Sequence, residues 1–409
     1  MTTRSPLASW YFARRPDRHQ VMQPATPTEL RWRDGLLPVL VGWIWARCCV
    51  AAGFLLSGGM EGVLDNPRAV LGPHSGLLTW DGLYYRDIAA GWYGGVAEAG
   101  ARFFPLYPAF GRGAAPLFGG RVDWALVAIT NVAAFAGALV LWRLVSEVIT
   151  STDSTSGAES SDGPLHRLTG SVASRSAWMV AVAPAAFALV WAYTEGLALL
   201  LIASTLLALH RRSFVWAGAF ALASAALRPV GGLLLLPILM ELWRARPRPS
   251  WPVVLVAVTA PVVGLIGAFS VIAASTGDFW IPLDAQREIR GGFQDPITRV
   301  LEPIGEVAKG NFRDVYNLAH MLMLIALFVV AWRRRQPASW LAYAAATLLI
   351  TLSSQQTDSL GRYALVVVPF VVALAQWSDR SWRQAAVALT SSAGLVWLTS
   401  EALLGRMVP

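Results

Sequence analysis

The stretch "AWMVAVAPAAFALVWAYTEGLALLLIASTLLAL" (residues 177–209) is one long apolar run with a short polar interruption. A helix needs about 20 residues to cross the ~30 Å hydrocarbon core of a membrane, so this run is too long for a single crossing. The interruption, Tyr193–Gly196, reads "YTEG" and includes a carboxylate, which is costly to place in lipid. The run therefore predicts two short membrane helices that are joined by a polar turn at one membrane face.

The composition of the whole chain also indicates a membrane protein. Of its 409 residues 55% are hydrophobic and only 14% are charged, and the mean hydropathy is +0.50. These values exclude an ordinary soluble enzyme. A net charge of +8 would suggest nucleic-acid binding in a soluble protein, but here the arginines cluster at the ends of apolar runs. That distribution indicates membrane topology instead.

Eleven membrane spans place every strongly basic connector on the cytoplasmic side. We predict an all-α, multi-pass protein of the cell (plasma) membrane with a basic cytoplasmic tail at 1–35, a single transmembrane domain at 36–403 and a flexible, Ser-rich cytoplasmic loop at 151–176. The predicted spans are 36–57, 122–146, the two halves of 177–209, the two halves of 214–243, 251–275, 316–332, 338–352, 363–377 and 384–403.

The same topology places two long loops, 58–121 and 276–315, on the outer face. It also brings the polar residues that interrupt or flank the apolar runs to that face. These residues are Asp81, Asp87, Glu195, Arg228, Asp278, Arg287, Gln355 and Arg362. Because polar groups inside a membrane domain usually line a cavity or pair with each other, we predict a polar cavity that opens outward.

The first outer loop contains "TWDGLYYRDIAAGWYGG" (residues 79–95), in which carboxylates alternate with aromatic rings. We expect part of it to form a short helix beside the membrane. Sugar hydroxyls bind carboxylates, and the C–H faces of a sugar stack on aromatic rings. The stretch is therefore a candidate for sugar binding, with Trp80, Tyr84 and Tyr85 as the stacking residues.

These residues are similar to a known family. The segments "TWDGLYYRDIAAGWYGG" and "ARFFPLYPAFGR" (79–95 and 101–112) resemble the first outer loop of the PIG-V-type mannosyltransferases (GPI mannosyltransferase 2-like), which have bacterial relatives. Weaker matches follow in the family's order, although Thr194 stands where the family has Ser. They are "APAAFALVWAYTEGLALLL" (183–201), "ALRPVGGLLLLP" (226–237), "DAQREIRGG" (284–292) and "SLGRYALVVVPF" (359–370).

The resemblance implies a fold and an activity. Such enzymes have the GT-C fold, which here means a bundle of about 11 transmembrane helices with two long outer loops carrying short juxtamembrane helices. They transfer a sugar from a polyprenyl-phosphate donor at the outer face. The resemblance thus implies an inverting mannosyl (or similar hexosyl) transfer to a hydroxyl of a glycolipid, a glycan or an exported protein, with 36–403 as the catalytic domain.

Asp81 is the candidate general base. The family's catalytic carboxylate occupies this Trp-Asp position, and hydroxyl attack requires a proton acceptor. The alternative is that Asp81 caps a juxtamembrane helix, since Asp is a good N-cap. Asp87 is a candidate for sugar or acceptor binding, but it lies six residues further on and does not share a helix face with Asp81. It could instead pair with Arg86 or Arg102.

Arginine is the expected partner of the donor phosphate, because its planar fork can bind two phosphate oxygens. Arg362 and Arg228 lie at outer ends of spans and are the first candidates, although each could simply reach toward lipid headgroups. Arg287 and Arg290 are further candidates, or could hold the second outer loop to acidic neighbours. Glu195 would bind sugar hydroxyls or pair with one of these arginines. Gln286 is a further candidate for sugar or acceptor binding within the "DAQREIRGG" match.

No cofactor or metal is expected. The histidines are solitary, and no His, Cys and Asp cluster has the spacing of metal ligands. The expected partners are the polyprenyl-phosphate sugar, the bilayer and the acceptor, without nucleic acid. Two other function classes fit the same pattern. A secondary transporter also has spans interrupted by Pro and Gly, although no repeated half is visible here. A non-catalytic, lipid-binding scaffold could retain the fold.

Overall fold

Helices that match the predicted spans dominate the computed structural model, which describes residues 31–60, 73–149, 168, 170–309, 315–355 and 359–407. Most of the tail 1–35 and of the loop 151–176 lies outside these ranges. In chain order the helices are α1 (Leu36–Met60), α2 (Asp81–Gly91), α3 (Leu106–Ala114), α4 (Val122–Val148), α5 (Val172–Val182), α6 (Glu195–His210), α7 (Phe214–Leu227), α8 (Leu235–Arg244), α9 (Trp251–Thr276), α10 (Ile281–Arg290), α11 (Pro296–Ala308), α12 (Val315–Arg333), α13 (Ala338–Leu352), α14 (Leu360–Leu365), α15 (Val368–Trp377) and α16 (Ser381–Leu403).

Each of the eleven predicted spans coincides with a helix. By length and apolar composition, five helices in the described residues are long enough to cross a membrane: α1, α4, α9, α12 and α16. Four more, α6, α7, α13 and α15, are apolar but shorter. The two remaining predicted spans correspond to α5 and α8. The protein is therefore an all-α, multi-pass membrane protein, as predicted.

The two long loops each carry two short helices, as predicted. Loop 58–121 contains α2 and α3, and loop 276–315 contains α10 and α11. The loops contact each other, because the turn Glu98–Arg102 packs against α10. The second loop also lies on the connector after α13, where the Gln294 N–H donates to the Ser353 carbonyl at 3.0 Å. Both loops thus come together beside the segment that leads to Arg362.

The long run 177–209 is broken into two helices as predicted, but the break covers residues 183–194 and not the predicted turn Tyr193–Gly196. Helix α5 also begins at Val172, inside the predicted loop 151–176. Helix α5 ends at Val182, because Ala183 precedes a proline and takes an extended conformation (ψ 150°). A single 3-10 turn follows, and the next regular helix, α6, starts at Glu195. The break leaves backbone carbonyls without helical partners in the interior, and these carbonyls need other donors.

Side chains of α1 and α4 supply those donors. One contact is made by a guanidinium group from the middle of α1, which explains a charged residue in an otherwise apolar span. The donors are Arg47 Nη2 to the Leu189 carbonyl (3.2 Å), Asn131 Nδ2 to the Val190 carbonyl (2.8 Å) and Thr130 Oγ1 to the Tyr193 carbonyl (2.7 Å). The irregular segment is thereby fixed up to the residue that starts α6.

Small residues allow the close helix contacts on which this arrangement depends. A Cβ atom at Gly196 would collide with the Thr130 carbonyl, so the first turn of α6 can lie against α4 only with glycine at this position. Small residues at helix crossings are typical of membrane bundles, where they let backbones approach each other. Glu195, the neighbour of Gly196, is therefore held at a fixed position relative to α4.

Two further interruptions place arginines in the interior. Helix α7 ends at Leu227, and Arg228 is extended before Pro229 (φ −155°, ψ 144°). The predicted span 363–377 is divided into α14 and α15, with Arg362 on α14. Each break in an apolar run therefore brings one charged side chain to the same region of the bundle.

Candidate active site

Five charged side chains meet where the first long loop contacts the helix breaks. Arg362 Nη1 donates to Asp81 Oδ2 at 2.8 Å and lies 3.5 Å from Glu195 Oε1. Arg228 Nη1 donates to the same Glu195 oxygen at 2.9 Å. Arg102 Nη2 lies 3.8 Å from Asp81 Oδ1. We call these five residues the charge cluster.

Backbone strain and a long-range hydrogen bond place Asp81. The preceding residue, Trp80, has φ 62° and ψ −118°, a conformation that costs free energy for any residue except glycine. Its indole N–H donates to the Ala402 carbonyl at the end of α16 at 2.8 Å, which anchors the turn. Trp80, predicted to stack on sugar, thus also fixes the start of α2.

The alternative of Asp81 as a helix cap does not match the geometry. Helix α2 begins at Asp81 itself, and the capping position belongs to Trp80. The Asp81 carboxylate faces Arg362 and Arg102 instead, from residues 281 and 21 positions away in the chain. A capping carboxylate would accept from the backbone of its own helix. The position of Asp81 is therefore explained by the charge cluster.

Arg362 does not extend toward lipid headgroups. Its side chain is only 8% exposed, and its guanidinium lies 5.0 Å from the centre of the Tyr193 ring. Nη2 donates to Ser359 Oγ at 3.1 Å. Its Nε has no hydrogen-bond partner among the described residues. The predicted alternative of a snorkelling arginine is thus wrong for Arg362, because its charge is neutralised inside the protein.

Glu195 is the most deeply buried member of the cluster, with a side chain 1% exposed. One oxygen, Oε1, contacts both Arg228 and Arg362, and the other oxygen has no hydrogen-bond partner within the described residues. Arg228 also lies 5.1 Å from the centre of the Tyr363 ring, so it too is directed inward. Of the two roles predicted for Glu195, the structure shows the ion pair with arginine.

Arg102 is the member of the cluster that the sequence did not indicate as part of the site. The sequence suggests Arg102 only as a partner of Asp87, but its guanidinium lies beside Asp81. Its guanidinium stacks 4.6 Å from the centre of the Phe103 ring, within the "ARFFP" part of the family-like motif. Membership of that motif was the available signal. The contact itself depends on how the loop folds back over α2.

The aromatic residues of the loop form a small core around the cluster. Tyr84 stacks on Phe103 at 5.1 Å, and Tyr85 makes edge contacts with Phe103 and Tyr107 at 4.9 and 5.0 Å. Tyr85 is buried, so the stacking of its ring on a sugar, as predicted, would require a neighbour to move. Burial, followed by the charge of Asp81, raises the pKa of Tyr85, and its hydroxyl stays protonated.

The remaining predicted site residues lie apart from these contacts. Asp87 pairs with Arg86 at 2.7 Å in an exposed position, as one of the two alternatives predicted. Arg287 pairs with Asp284 on its own helix at 3.4 Å and is largely exposed. Gln286 is half-buried on α10. The side chain of Arg290 lies outside the described residues. None of these contacts tests a role in sugar or donor binding.

The charge cluster has the chemistry of an anion site with a proton acceptor. Three guanidinium groups face two carboxylates, so one positive charge is left over. Charged groups in a poorly hydrated interior act strongly on each other and on a bound ion. Across the described residues, no group of three or more His, Cys, Asp and Glu side chains has a metal-binding arrangement. Whether the protein works without a metal stays a prediction.

Comparison with known proteins identifies the fold. No family model and no curated protein matches the chain. The crystal structure of ArnT from Cupriavidus metallidurans, bound to undecaprenyl phosphate, aligns with 89% of this chain and 77% of its own, at TM-score 0.51 and 13% identity. Two Archaeoglobus fulgidus oligosaccharyltransferase structures align at TM-scores 0.42 and 0.39 with 14% identity, over 53% and 56% of their length.

The likeness to ArnT shows the fold and no more, because the identity is low. The predicted fold class, a GT-C-like helical bundle with two long loops, is confirmed. Membership of the PIG-V-type family stays a prediction.

Proposed function

We propose that the protein is a membrane glycosyltransferase that uses a polyprenyl-phosphate sugar as donor. The observation that carries the proposal is the charge cluster, which combines a surplus of buried arginine with a carboxylate at a loop that faces the helix breaks. The fold supports it, since ArnT shares that fold and its structure is bound to undecaprenyl phosphate.

The reaction is a single displacement with inversion at the anomeric carbon. A hydroxyl oxygen of the acceptor forms a bond to that carbon while the bond from carbon to phosphate oxygen breaks. The acceptor's proton goes to Asp81, and the electron pair of the broken bond stays on the phosphate. Asp81 is the general base, and Arg362, Arg228 and Arg102 stabilise the charge that develops on the leaving phosphate.

The charges of the site and of the reactants balance through this step. A phosphodiester donor carries one negative charge, which matches the one surplus positive charge of the cluster. When Asp81 becomes protonated, the cluster gains one positive charge, and the leaving phosphate gains one negative charge at the same moment. The interior position of the cluster makes this match important, because an unbalanced charge there is expensive.

The identities of the transferred sugar and of the acceptor are inferred from the sequence resemblance. The PIG-V-like segments favour mannose as the transferred sugar, and a glycolipid, a glycan or an exported protein as the acceptor. The arginine distribution favours an active site on the outer face of the plasma membrane. Trp80, Tyr84, Tyr85 and Gln286 remain candidates for sugar or acceptor contacts.

Donor consumption tests the activity without knowledge of the acceptor. The full-length protein in nanodiscs would receive radiolabelled polyprenyl-phosphate mannose and a total lipid extract of the source cells, and the release of polyprenyl phosphate would be measured. We expect Asp81→Asn to lower the rate by about 10²–10⁴, since it removes the proton acceptor but keeps the shape. The control is Asp123→Asn, which alters an exposed pair with Arg121 (2.9 Å) and should leave the rate within about twofold.

The same labelled donor, given to the protein in sealed vesicles, separates the other function classes. A transporter would move the labelled lipid or its headgroup between vesicle compartments without releasing polyprenyl phosphate. A lipid-binding scaffold would bind the donor and show neither transfer nor movement. Equal rates for the Asp81→Asn variant and the wild type, at equal protein levels, would remove Asp81 from the mechanism.

Thiol labelling tests the proposed orientation. With Cys48 and Cys49 replaced, Gly292→Cys in the second loop should react with a membrane-impermeant maleimide on intact cells. Ser250→Cys, in the connector before α9, should react only after permeabilisation. Both positions are exposed in the folded chain, so burial does not protect either. The opposite labelling pattern would place the charge cluster on the cytoplasmic side.

A further inference from the structure

The charge cluster contains a conflict between two of its roles. Asp81 must accept a proton, but Arg362 Nη1 already donates to its Oδ2 at 2.8 Å. A carboxylate held by a buried guanidinium is a poor proton acceptor, because protonation would leave the guanidinium charge uncompensated. Arg362 must in turn bind phosphate, but one of its terminal nitrogens is engaged by Asp81 and the other by Ser359. Neither residue is free to act while the pair is intact.

Glu195 behaves differently from Asp81 within the same cluster. Its side chain is almost fully enclosed, and its Oε1 contacts both Arg228 and Arg362. Glu195 is therefore a fixed counter-ion that keeps the two arginines side by side. Asp81 lies at the outer edge of the cluster, on a loop helix, and its side chain is partly exposed. Of the two anions that Arg362 contacts, only Asp81 is positioned to be replaced by an incoming one.

Arg102 provides a second partner that keeps Asp81 in place after such a replacement. Its Nη2 lies 3.8 Å from Oδ1, the oxygen that Arg362 does not contact. This separation is longer than a hydrogen bond, so Arg102 attracts the carboxylate without occupying its lone pairs. Asp81 would thus keep its position after Oδ2 has lost the hydrogen bond from Arg362, and its carboxylate could then accept a proton.

We propose that the donor phosphate and Asp81 compete for Arg362, so that Asp81 becomes a competent base only when the donor is bound. The inference rests on the proposed function. It makes binding ordered, with donor before acceptor, because an acceptor that arrives first meets a carboxylate occupied by Arg362. It also means that Asp81 weakens donor binding while it enables transfer.

The test is donor-lipid affinity in a variant that cannot compete. Binding of undecaprenyl phosphate to the full-length protein in detergent would be measured for the wild type, Asp81→Asn, Asp81→Ala and the control Asp123→Asn, with undecaprenol as the uncharged probe. We expect both Asp81 variants to bind undecaprenyl phosphate about tenfold more tightly than the wild type, and the control to bind as the wild type does. Undecaprenol binding should be equal in all four proteins.

The outcomes distinguish the inference from the proposed function. Unchanged or weaker binding by both Asp81 variants, with phosphate still preferred over undecaprenol, overturns the competition and leaves the glycosyltransferase proposal standing. Tighter binding by Asp81→Ala alone also overturns it, because loss of the charge is common to both variants. No preference for undecaprenyl phosphate in any protein, wild type included, overturns the proposed function and the inference together.

Discussion

Glu195 and Asp379 are each held between two arginines, but in very different surroundings. Glu195 contacts Arg228 and Arg362 at 2.9 and 3.5 Å, and its side chain is 1% exposed. Asp379 contacts Arg383 and Arg334 at 3.0 and 3.3 Å, and its side chain is 46% exposed. The pairing is nearly the same, so the difference between the two sites is their access to water.

That difference separates an enclosed charge cluster from a surface ion pair. Water can replace either partner of Asp379 at little cost, and exposed ion pairs typically contribute at most about 1 kcal/mol. Around Glu195 no such replacement is available, so removal of one partner leaves a buried charge uncompensated. A protein that retains such a cluster inside apolar helices has a use for it, and anion binding with proton transfer is the use proposed above.

Removal of one arginine from each site should give the largest contrast. Arg362→Ala is expected to lower kcat/KM for donor consumption by about 10²–10³, since a preorganised donor to the leaving phosphate is lost. Arg383→Ala, at Asp379, should leave kcat/KM within about twofold. Both would be measured in the nanodisc assay. Arg362→Lys should recover only part of the activity, because an ammonium group cannot make a two-point contact. Full activity with Lys would reduce Arg362 to a simple counter-charge.

The contrast also shows how far the sequence alone could lead. The lengths of the apolar runs and the arginine distribution predicted the eleven helical segments and the break around Arg228. They also predicted a break in the run 177–209, but at Tyr193–Gly196 instead of at residues 183–194. Local composition decides those features. The pair of Asp81 and Arg362 joins residues 281 positions apart, and only tertiary packing decides it. The strained backbone of Trp80 likewise accompanies a distant contact, the hydrogen bond from its indole N–H to the Ala402 carbonyl in α16.

Arg102 is a second residue whose contact the sequence alone does not determine. The sequence offers Arg102, within the family-like motif, as one of two possible partners of Asp87, but Asp87 pairs with the other, Arg86, and Arg102 lies beside Asp81. Either carboxylate was within reach of a loop arginine, and the linear sequence cannot rank two such partners. The position of Arg102 depends on the tertiary packing of the turn Glu98–Arg102 against α10.

The second contrast concerns the stability of the folded protein. Glu195→Gln should reduce the free energy of unfolding by about 3 kcal/mol, because Arg228 and Arg362 then lose the buried carboxylate that both contact. The matching variant at the exposed site, Asp379→Asn, should change it by less than about 1 kcal/mol. Unfolding in mild detergent with a chemical denaturant would measure both. Similar losses in the two variants would mean that burial does not decide the role of these carboxylates.

A smaller effect should come from the helix break that positions Glu195. Thr130→Val keeps the side-chain shape but removes the donor to the Tyr193 carbonyl (2.7 Å) and the partner of the Tyr107 hydroxyl (2.7 Å). We expect a loss of about 1–3 kcal/mol in stability, since buried polar groups are left unpaired. Thr390→Val is the control, because its hydroxyl donates to Ala386 in an exposed position (2.7 Å). A Thr130 variant as stable as this control would show that the break is held by other contacts.

The smallest effect is expected at Asp379 itself, and its dependence on pH makes it informative. Partial burial raises the pKa of Asp379, but the hydrogen bond from Arg334 and the charges of Arg383 and Arg334 outweigh it, and the net pKa is lowered. A lowered pKa in the folded state stabilises the fold above the ordinary pKa of Asp, near 4. This contribution disappears as the pH falls through the lower, folded value. The difference in stability between wild type and Asp379→Asn should therefore be small at pH 7 and smaller still at a pH below about 4, where the wild-type carboxylate begins to lose its charge. Unfolding curves at the two pH values would measure it. A large difference at pH 7, comparable to that of Glu195→Gln, would mean that exposed and enclosed carboxylates contribute alike, and the contrast between Glu195 and Asp379 would no longer distinguish the two sites.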